Sequence, residues 1–325
     1  MRALICSQFA TLDDVQAGEL PTPDIGPNQV LIRVAAAGVN FYDTLIVQGK
    51  YQIKPPLPFS PGGESAGTVE AIGPGVTHVQ PGDRVVAFSH YGAFAEFCRA
   101  PASQVFPLPD GVSFEAAAAS LVAYGTAWMA LYDRGRMQPG ETVLVLGAAG
   151  GVGLAAVQIA HRAGARVIAA ASSDDKLALC RAAGANVCVN YGTGNLKDAF
   201  KAAVGPQGAD IVIDVVGNPY TEAALRATGW RGRVMIIGFA AGDIPRIPAN
   251  LVLLKGNEVS GVLWDGLLEK DPEMACQQVG DLMAAIADGS LAPRITERFT
   301  LEQGLDALKT LAERRVTGKV IVTPN

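Results

Sequence analysis

Thr142 to Ala160 is a run of nineteen residues without a single charge. That is about the length needed to cross a bilayer, so the run is either a membrane helix or a buried strand and helix. Gly147, Gly150, Gly151 and Gly153 interrupt it, and Pro139-Gly140 stands before it. A strand, a glycine turn and a buried helix account for it better than a span. The strand is placed at Thr142–Leu146 and the helix at Gly151–Ala163.

A strand that ends in glycines and turns straight into a helix is the setting a dinucleotide fingerprint requires. Small residues let the backbone approach a pyrophosphate, and the first helical N–H groups and the positive end of the helix dipole face it. Ala149, Gly150, Gly151, Val152 and Gly153 are the expected contacts. The strict G-x-G-x-x-G pattern is not met, since its first position, counted back from Gly153, is Ala148. Which dinucleotide binds should be decided at the end of the next strand, where an NAD site carries Asp or Glu. The chain reads Ala170-Ala171-Ser172-Ser173-Asp174-Asp175-Lys176 there. Ser172 and Ser173 can donate to a phosphate and Lys176 adds positive charge, which favours NADP(H). The alternative is that Ser173 or Asp174 caps the next helix while Lys176 faces solvent.

Around this motif the periodicity predicts an α/β alternation. Further strands are expected at Arg166–Ala170, Asn186–Val189, Ala209–Asp214 and Arg233–Ile237, and further helices at Asp174–Ala183, Asn195–Ala203 and Pro219–Thr228. Apolar strands separated by helices predict a parallel, doubly wound Rossmann sheet. The first 120 or so residues differ in texture. Short β-rich runs such as Val30–Val34, Gly67–Ile72 and Arg84–Phe88 alternate with Pro- and Gly-rich turns, which suggests a small β-barrel or sandwich. Ser113 is a candidate N-cap for an alanine-rich helix. The last sixty or so residues are mixed, with a helix near Leu301–Glu313 and a final strand Lys319–Thr323.

The chain carries 26 basic and 31 acidic residues, a net charge of −5. A mildly acidic protein has no bulk field for nucleic acid or anionic membranes, so neither is expected as a main partner. Five cysteines form no CxxC pair, and the three histidines have no metal-ligand spacing. Cys6, Cys180, Cys188 and Cys276 read as small core hydrophobes. A reducing, cytoplasmic setting fits, and the first residues lack the pattern of a signal peptide.

The run Gly140–Gly153 followed by Gln158 resembles a signature of the medium-chain dehydrogenase/reductase superfamily, in its zinc-free quinone oxidoreductase (zeta-crystallin-like) branch. It departs at His161, where Lys, Arg or Ser is usual. Ala37-Gly38-Val39-Asn40-Phe41-Tyr42-Asp43, Pro61-Gly62-Gly63-Glu64, Ala123-Tyr124-Gly125-Thr126-Ala127 and Thr317-Gly318-Lys319-Val320 are similar to other family pieces. The resemblance implies a Rossmann sheet inserted into a GroES-like β-barrel catalytic domain. Residues 1–123 and 263–325 would form the catalytic domain, residues 124–262 the nucleotide domain, and two copies a homodimer. Zinc-dependent relatives place Cys at the position of Asn40 and His at that of Gly63, so no metal site is expected here.

The resemblance also implies roles for single residues. Thr126, Leu263 and Trp264 would lie at the nicotinamide end, Tyr191 near the 2′-phosphate, and Val216, Gly217, Gly238 and Phe239 at the ends of two later strands. Lys319, with Arg314 or Arg315 nearby, would reach the cofactor from the tail. Trp264 has a dimer contact as its alternative. Without a metal, the acceptor must already be electrophilic. A quinone or an α,β-unsaturated carbonyl qualifies, with the nicotinamide giving hydride. Tyr51 is the first candidate proton donor, and Asn40 would hold the nicotinamide or the substrate oxygen. Tyr42 and Asp43 follow, Asp43 with loop-holding as its alternative. Two other readings stand beside this one. One is an enoyl-thioester (acyl-CoA) reductase. The other is an NADPH-binding structural or RNA-associated protein with little turnover.

Overall fold

Runs of β-branched residues broken by Gly and Pro give the N-terminal part seven strands: β1 Arg2–Cys6, β2 Val15–Glu19, β3 Gln29–Val39, β4 Glu64–Ile72, β5 Arg84–Phe88, β6 Phe97–Pro101 and β7 Val105–Pro107. Two helices interrupt them, α1 Phe41–Val47 and α2 Phe114–Ala118. Ser113 caps α2, its Oγ accepting from the Ala116 amide at 3.1 Å. The computed structural model describes residues 1–192 and 195–324.

α3 Leu121–Trp128 leads into the β-α alternation. The strands are β8 Thr142–Leu146, β9 Arg166–Ala171, β10 Val187–Asn190, β11 Ala209–Asp214, β12 Thr228–Ile236 and β13 Glu258–Gly261. The helices are α4 Gly151–Arg162, α5 Asp174–Ala182, α6 Leu196–Val204, α7 Tyr220–Ala227 and α8 Ala249–Lys255. The tail adds α9 Trp264–Lys270, α10 Pro272–Ala287, β14 Ile295–Thr300, α11 Gly304–Ala312 and β15 Lys319–Thr323. Asp271 caps α10 through the Met274 amide, with Pro272 at its first position. The uncharged run is thus β8, a turn and α4, and no described helix is long and apolar enough to cross a membrane.

The contacts divide the chain into two units. Residues 124–265 form one, and residues 1–123 with the chain from Gly266 onward form the other. The chain returns at Gly266 rather than at 263. Trp264 stays with the middle unit, its indole packed against Gly125 of α3, where a Cβ would meet the ring at 2.6 Å.

In the middle unit six strands run in the order β10-β9-β8-β11-β12-β13, all parallel. This is the doubly wound order, which reverses between β8 and β11 and leaves its ligand crevice at the carboxyl ends of those two strands. In the other unit a sheet runs β14-β15-β3-β4-β5-β7, with β6 on β3. The last strand, β15, is parallel to β14 and antiparallel to β3. Leu4, Val34, Val39, Phe94, Leu308 and Val322 belong to its core. Cys276 is exposed and Cys188 half-buried, against the expectation that both are core. On α10 the buried side carries Ala275, Gln278, Val279 and Leu282, which turns position 276 outward.

Candidate active site

β8 is fully buried from Val143 to Leu146, and Gly147 leaves it at φ +65°. The turn closes with the Gly150 amide on the Gly147 carbonyl at 3.0 Å, and Gly150 becomes the N-cap of α4 without any side-chain cap. The first turn of α4 holds no acidic residue. Its amide end therefore meets no side-chain acceptor of its own, and Gly151 and Val152 are half-buried there. A Cβ on Gly153 would overlap the Gly147 carbonyl and lie 2.8 Å from Ala148 Cα, so glycine is what lets helix and strand close up. Ala148 is tolerated in the first fingerprint position because the left-handed backbone falls on Gly147. Tyr124 Oη donates to Gln158 Oε1 at 2.9 Å, which ties α3 to α4.

At the end of β9, Ser172 is exposed and Ser173 half-buried. Ser173 Oγ accepts from the Lys176 amide at 3.4 Å, and Lys176 Nζ donates back to Ser172 Oγ at 3.4 Å. Ser173 is thus a cap, and the lysine curls toward the strand end instead of into solvent. Asp174 is engaged by Asn190 Nδ2 at 3.0 Å. The Tyr191 ring lies 4.6 Å from that of Tyr220, tilted by 49°.

Asp214, at the end of β11, escaped the sequence reading. It is buried, its Oδ1 accepts from the amides of Val216 and Gly217 at 2.9 Å, and Thr221 Oγ1 donates to its Oδ2 at 2.5 Å. A carboxylate closing the Ile211–Ile213 run, three positions before Gly217, was its one signal. Phe239 leans over Gly217, where a Cβ would meet its ring at 3.2 Å. Gly238 is half-buried beside it, Leu263 is exposed, and Thr126 and Trp264 are buried. Trp264 is only 4% exposed, and its ring lies against Gly125.

The other unit carries a buried polar cluster. Asn40 follows β3, and Asp43 Oδ2 accepts from the Asn40 amide at 2.7 Å, which fixes the start of α1. Asn40 Nδ2 donates to Glu64 Oε1 at 2.8 Å. Glu64 Oε2 accepts from the Val122 amide at 2.7 Å. Lys319 Nζ donates to Glu64 Oε1 and Asn40 Oδ1, both at 2.7 Å, and to the Val39 carbonyl at 3.3 Å. Lys319 therefore does not reach out to a cofactor as expected. A buried ammonium must be paired, and all three of these bonds lie inside this unit. Burial, reinforced by the charge of Glu64, pushes the Asp43 carboxyl up to about 8, against the pull of the Asn40 amide, Lys319 and the Gly63 amide. The sequence signal for this cluster was a charged residue at the first position of each of two strands, Glu64 in β4 and Lys319 in β15.

Tyr51 is half-buried, its ring 5.5 Å from that of Tyr42. The residues present do not fit zinc. Asn40 is an amide already bonded on both atoms, Gly63 offers no donor, and no group of three His, Cys, Asp or Glu among the described residues could hold a metal. Cys98 is buried, its thiol pushed up to about 11 by desolvation, and it lies 3.2 Å from Ser89 Oγ.

Residues 26–110 match the alcohol dehydrogenase GroES-like domain family, and residues 151–284 the zinc-binding dehydrogenase family. A quinone oxidoreductase-like protein 2 of Rattus norvegicus is 39% identical, over 99% of this chain and 92% of its own length. A mycobacterial protein solved in complex with NADPH superposes with a TM-score of 0.92 at 33% identity, over 100% of both chains. The Escherichia coli quinone oxidoreductase, also solved with NADPH, gives 0.91 at 29% identity, over 100% of both chains.

Proposed function

Because the chain belongs to the quinone oxidoreductase family of the medium-chain dehydrogenase/reductase superfamily, we propose that it is an NADPH-dependent, zinc-independent reductase. Its acceptor is a quinone or an α,β-unsaturated carbonyl. The observation that carries this reading is the uncapped glycine turn at the switch point of the parallel sheet, with serines and a lysine where an NAD site would carry a carboxylate. Ala149 to Gly153 offer amides to the pyrophosphate, and Ser172, Ser173, Lys176 and Tyr191 surround the 2′-phosphate. Val216 and Gly217, held by Asp214, join Thr126, Gly238, Phe239, Leu263 and Trp264 along the rest of the dinucleotide. When bound, NADPH supplies the hydride.

The chain's own residues supply a proton and a grip. Tyr51 gives the proton that the reduced oxygen needs, since a phenol keeps its proton at neutral pH. Asn40 keeps one amide hydrogen beyond the one given to Glu64, and this orients the acceptor oxygen. Its role as a cofactor contact rests on the same hydrogen. The working form is a homodimer. Trp230 in β12 and Leu253 and Leu254 on α8 are apolar side chains more than two-thirds exposed, and α8 leads into the edge strand β13.

The test is NADPH oxidation against a panel of quinones, enones and enoyl-CoAs, with NADH as control. Turnover with a quinone or enone is expected, with NADPH preferred by about tenfold or more, roughly 1.4 kcal/mol. Tyr51→Phe should lower kcat for that acceptor. Exclusive use of enoyl-CoAs would make the protein an enoyl-thioester reductase. No oxidation with any acceptor would leave a nucleotide-binding protein without this activity.

A further inference from the structure

Two glycines stand side by side before β4, and they serve different ends. Gly62 has φ +89°, a backbone that side chains rarely adopt. Gly63 has no such φ, so its backbone would accept any residue. What glycine provides at 63 is room, and Tyr42 takes it. A Cβ built on Gly63 would overlap Tyr42 Oη, and would lie 2.7 Å from Tyr42 Cζ and 3.1 Å from the His90 carbonyl. Tyr42 is the second residue of α1, whose start is pinned by Asp43 on the Asn40 amide. Its ring is held at both ends. The hydroxyl is seated on Gly63, and the ring centre lies 5.5 Å from that of Tyr51 and 6.4 Å from that of Phe88, tilted to both. Phe88 in turn stands edge-on to His90 at 4.7 Å, and His90 Nε2 meets Glu269 Oε1 at 3.1 Å.

We propose that Gly63 and Tyr42 are a size-matched pair: the glycine keeps open the volume the phenol fills, and the seated ring backs Tyr51 and selects which acceptors reach it. The acceptor half rests on the reductase reading above. Tyr42 is a positioning residue here, acting through the ring of Tyr51. An aromatic wall of fixed depth favours planar acceptors of one size, so a change in that depth alters the choice between one-ring and two-ring quinones.

The full-length protein is compared with Gly63→Ala, Tyr42→Ala, Tyr42→Phe and the Gly63→Ala/Tyr42→Ala double variant. The readouts are kcat and KM for a one-ring and a two-ring quinone at saturating NADPH, and the thermal melting midpoint. Gly63→Ala alone should raise the acceptor KM roughly tenfold and lower the midpoint, yet cost less than about twofold in KM once Tyr42 is Ala, because the two sites share one volume. Tyr42→Ala should shift the kcat/KM ratio toward the two-ring quinone by about fivefold or more, while Tyr42→Phe, which keeps the ring, holds the wild-type ratio. Equal costs of Gly63→Ala in both backgrounds would overturn the pair. An unchanged ratio in Tyr42→Ala would overturn the role in acceptor choice. Should Gly63→Ala fail to fold, recovery in the double variant supports the pair and continued failure overturns it. The melting comparison needs no turnover, so a wild type that reduces nothing sinks the reductase reading and the acceptor half, while the pairing is still decided.

Discussion

Asp43 is fully buried, and its carboxyl is held up to about 8, chiefly by the loss of water around it. In an unfolded chain an aspartate titrates near roughly 3.9. Between these two values the unfolded chain has released a proton that the folded chain keeps, so folding stability falls as pH rises. The contribution is fully present below the unfolded value and is lost as pH passes through the folded one. The slope is at most about 1.4 kcal/mol per pH unit. Asp43→Asn keeps an oxygen for the Asn40 amide and cannot ionise. Its urea midpoint should vary less with pH than the wild type's between about pH 5 and 8, and equal slopes would refute Asp43 as the source. Single residues with local partners were the ones the sequence revealed. Ser113 and Ser173 are caps whose partners lie three positions on. Glu64 and Lys319 were not legible as a pair, because 255 positions separate them.

Glu64 binds three elements at once, since its two oxygens hold the amide leading into α3, the Asn40 that opens α1 and the Lys319 that opens β15. Glu64→Gln leaves a buried ammonium without its counter-charge, and should destabilise the fold by about 3–5 kcal/mol. Urea unfolding reads this directly, and a loss under about 1 kcal/mol would mean that Lys319 has turned outward to water. The legibility of elements followed their periodicity. β8, β9 and β11 each hold three or more consecutive apolar residues, and they stand where the sequence put them or within a residue. β12 begins at Thr228, before the expected Arg233, because Gly229, Gly232 and the exposed Trp230 hide its first half. α10 was lost in a mixed pattern, since its buried stripe is built from alanines and a glutamine as much as from large apolar residues.

For the molecule as a whole, the Rossmann topology was readable from alternation and the glycine turn. The other unit was legible from its turns only as a small β-barrel or sandwich, and its closure by the tail only through the family resemblance, because β15 pairs with β3 across most of the chain. The proposed dimer has a test at this scale. Leu253 and Leu254 are 80% and 71% exposed on α8, which buries none of its residues. Replacing both with Glu should yield monomers by sedimentation velocity at micromolar concentration, as buried unpaired carboxylates oppose association by several kcal/mol. A double variant that sediments like the wild type would place the contact elsewhere. The position of β15 between β14 and β3 has a further consequence for how the protein is made. The nucleotide unit has all its residues once Asp265 is synthesised, whereas the other unit lacks an interior strand until β15 is read. At roughly 5–20 residues per second the ribosome leaves that half waiting for several seconds. A chain cut short before β15 would therefore carry a finished Rossmann half and an open, adhesive sheet.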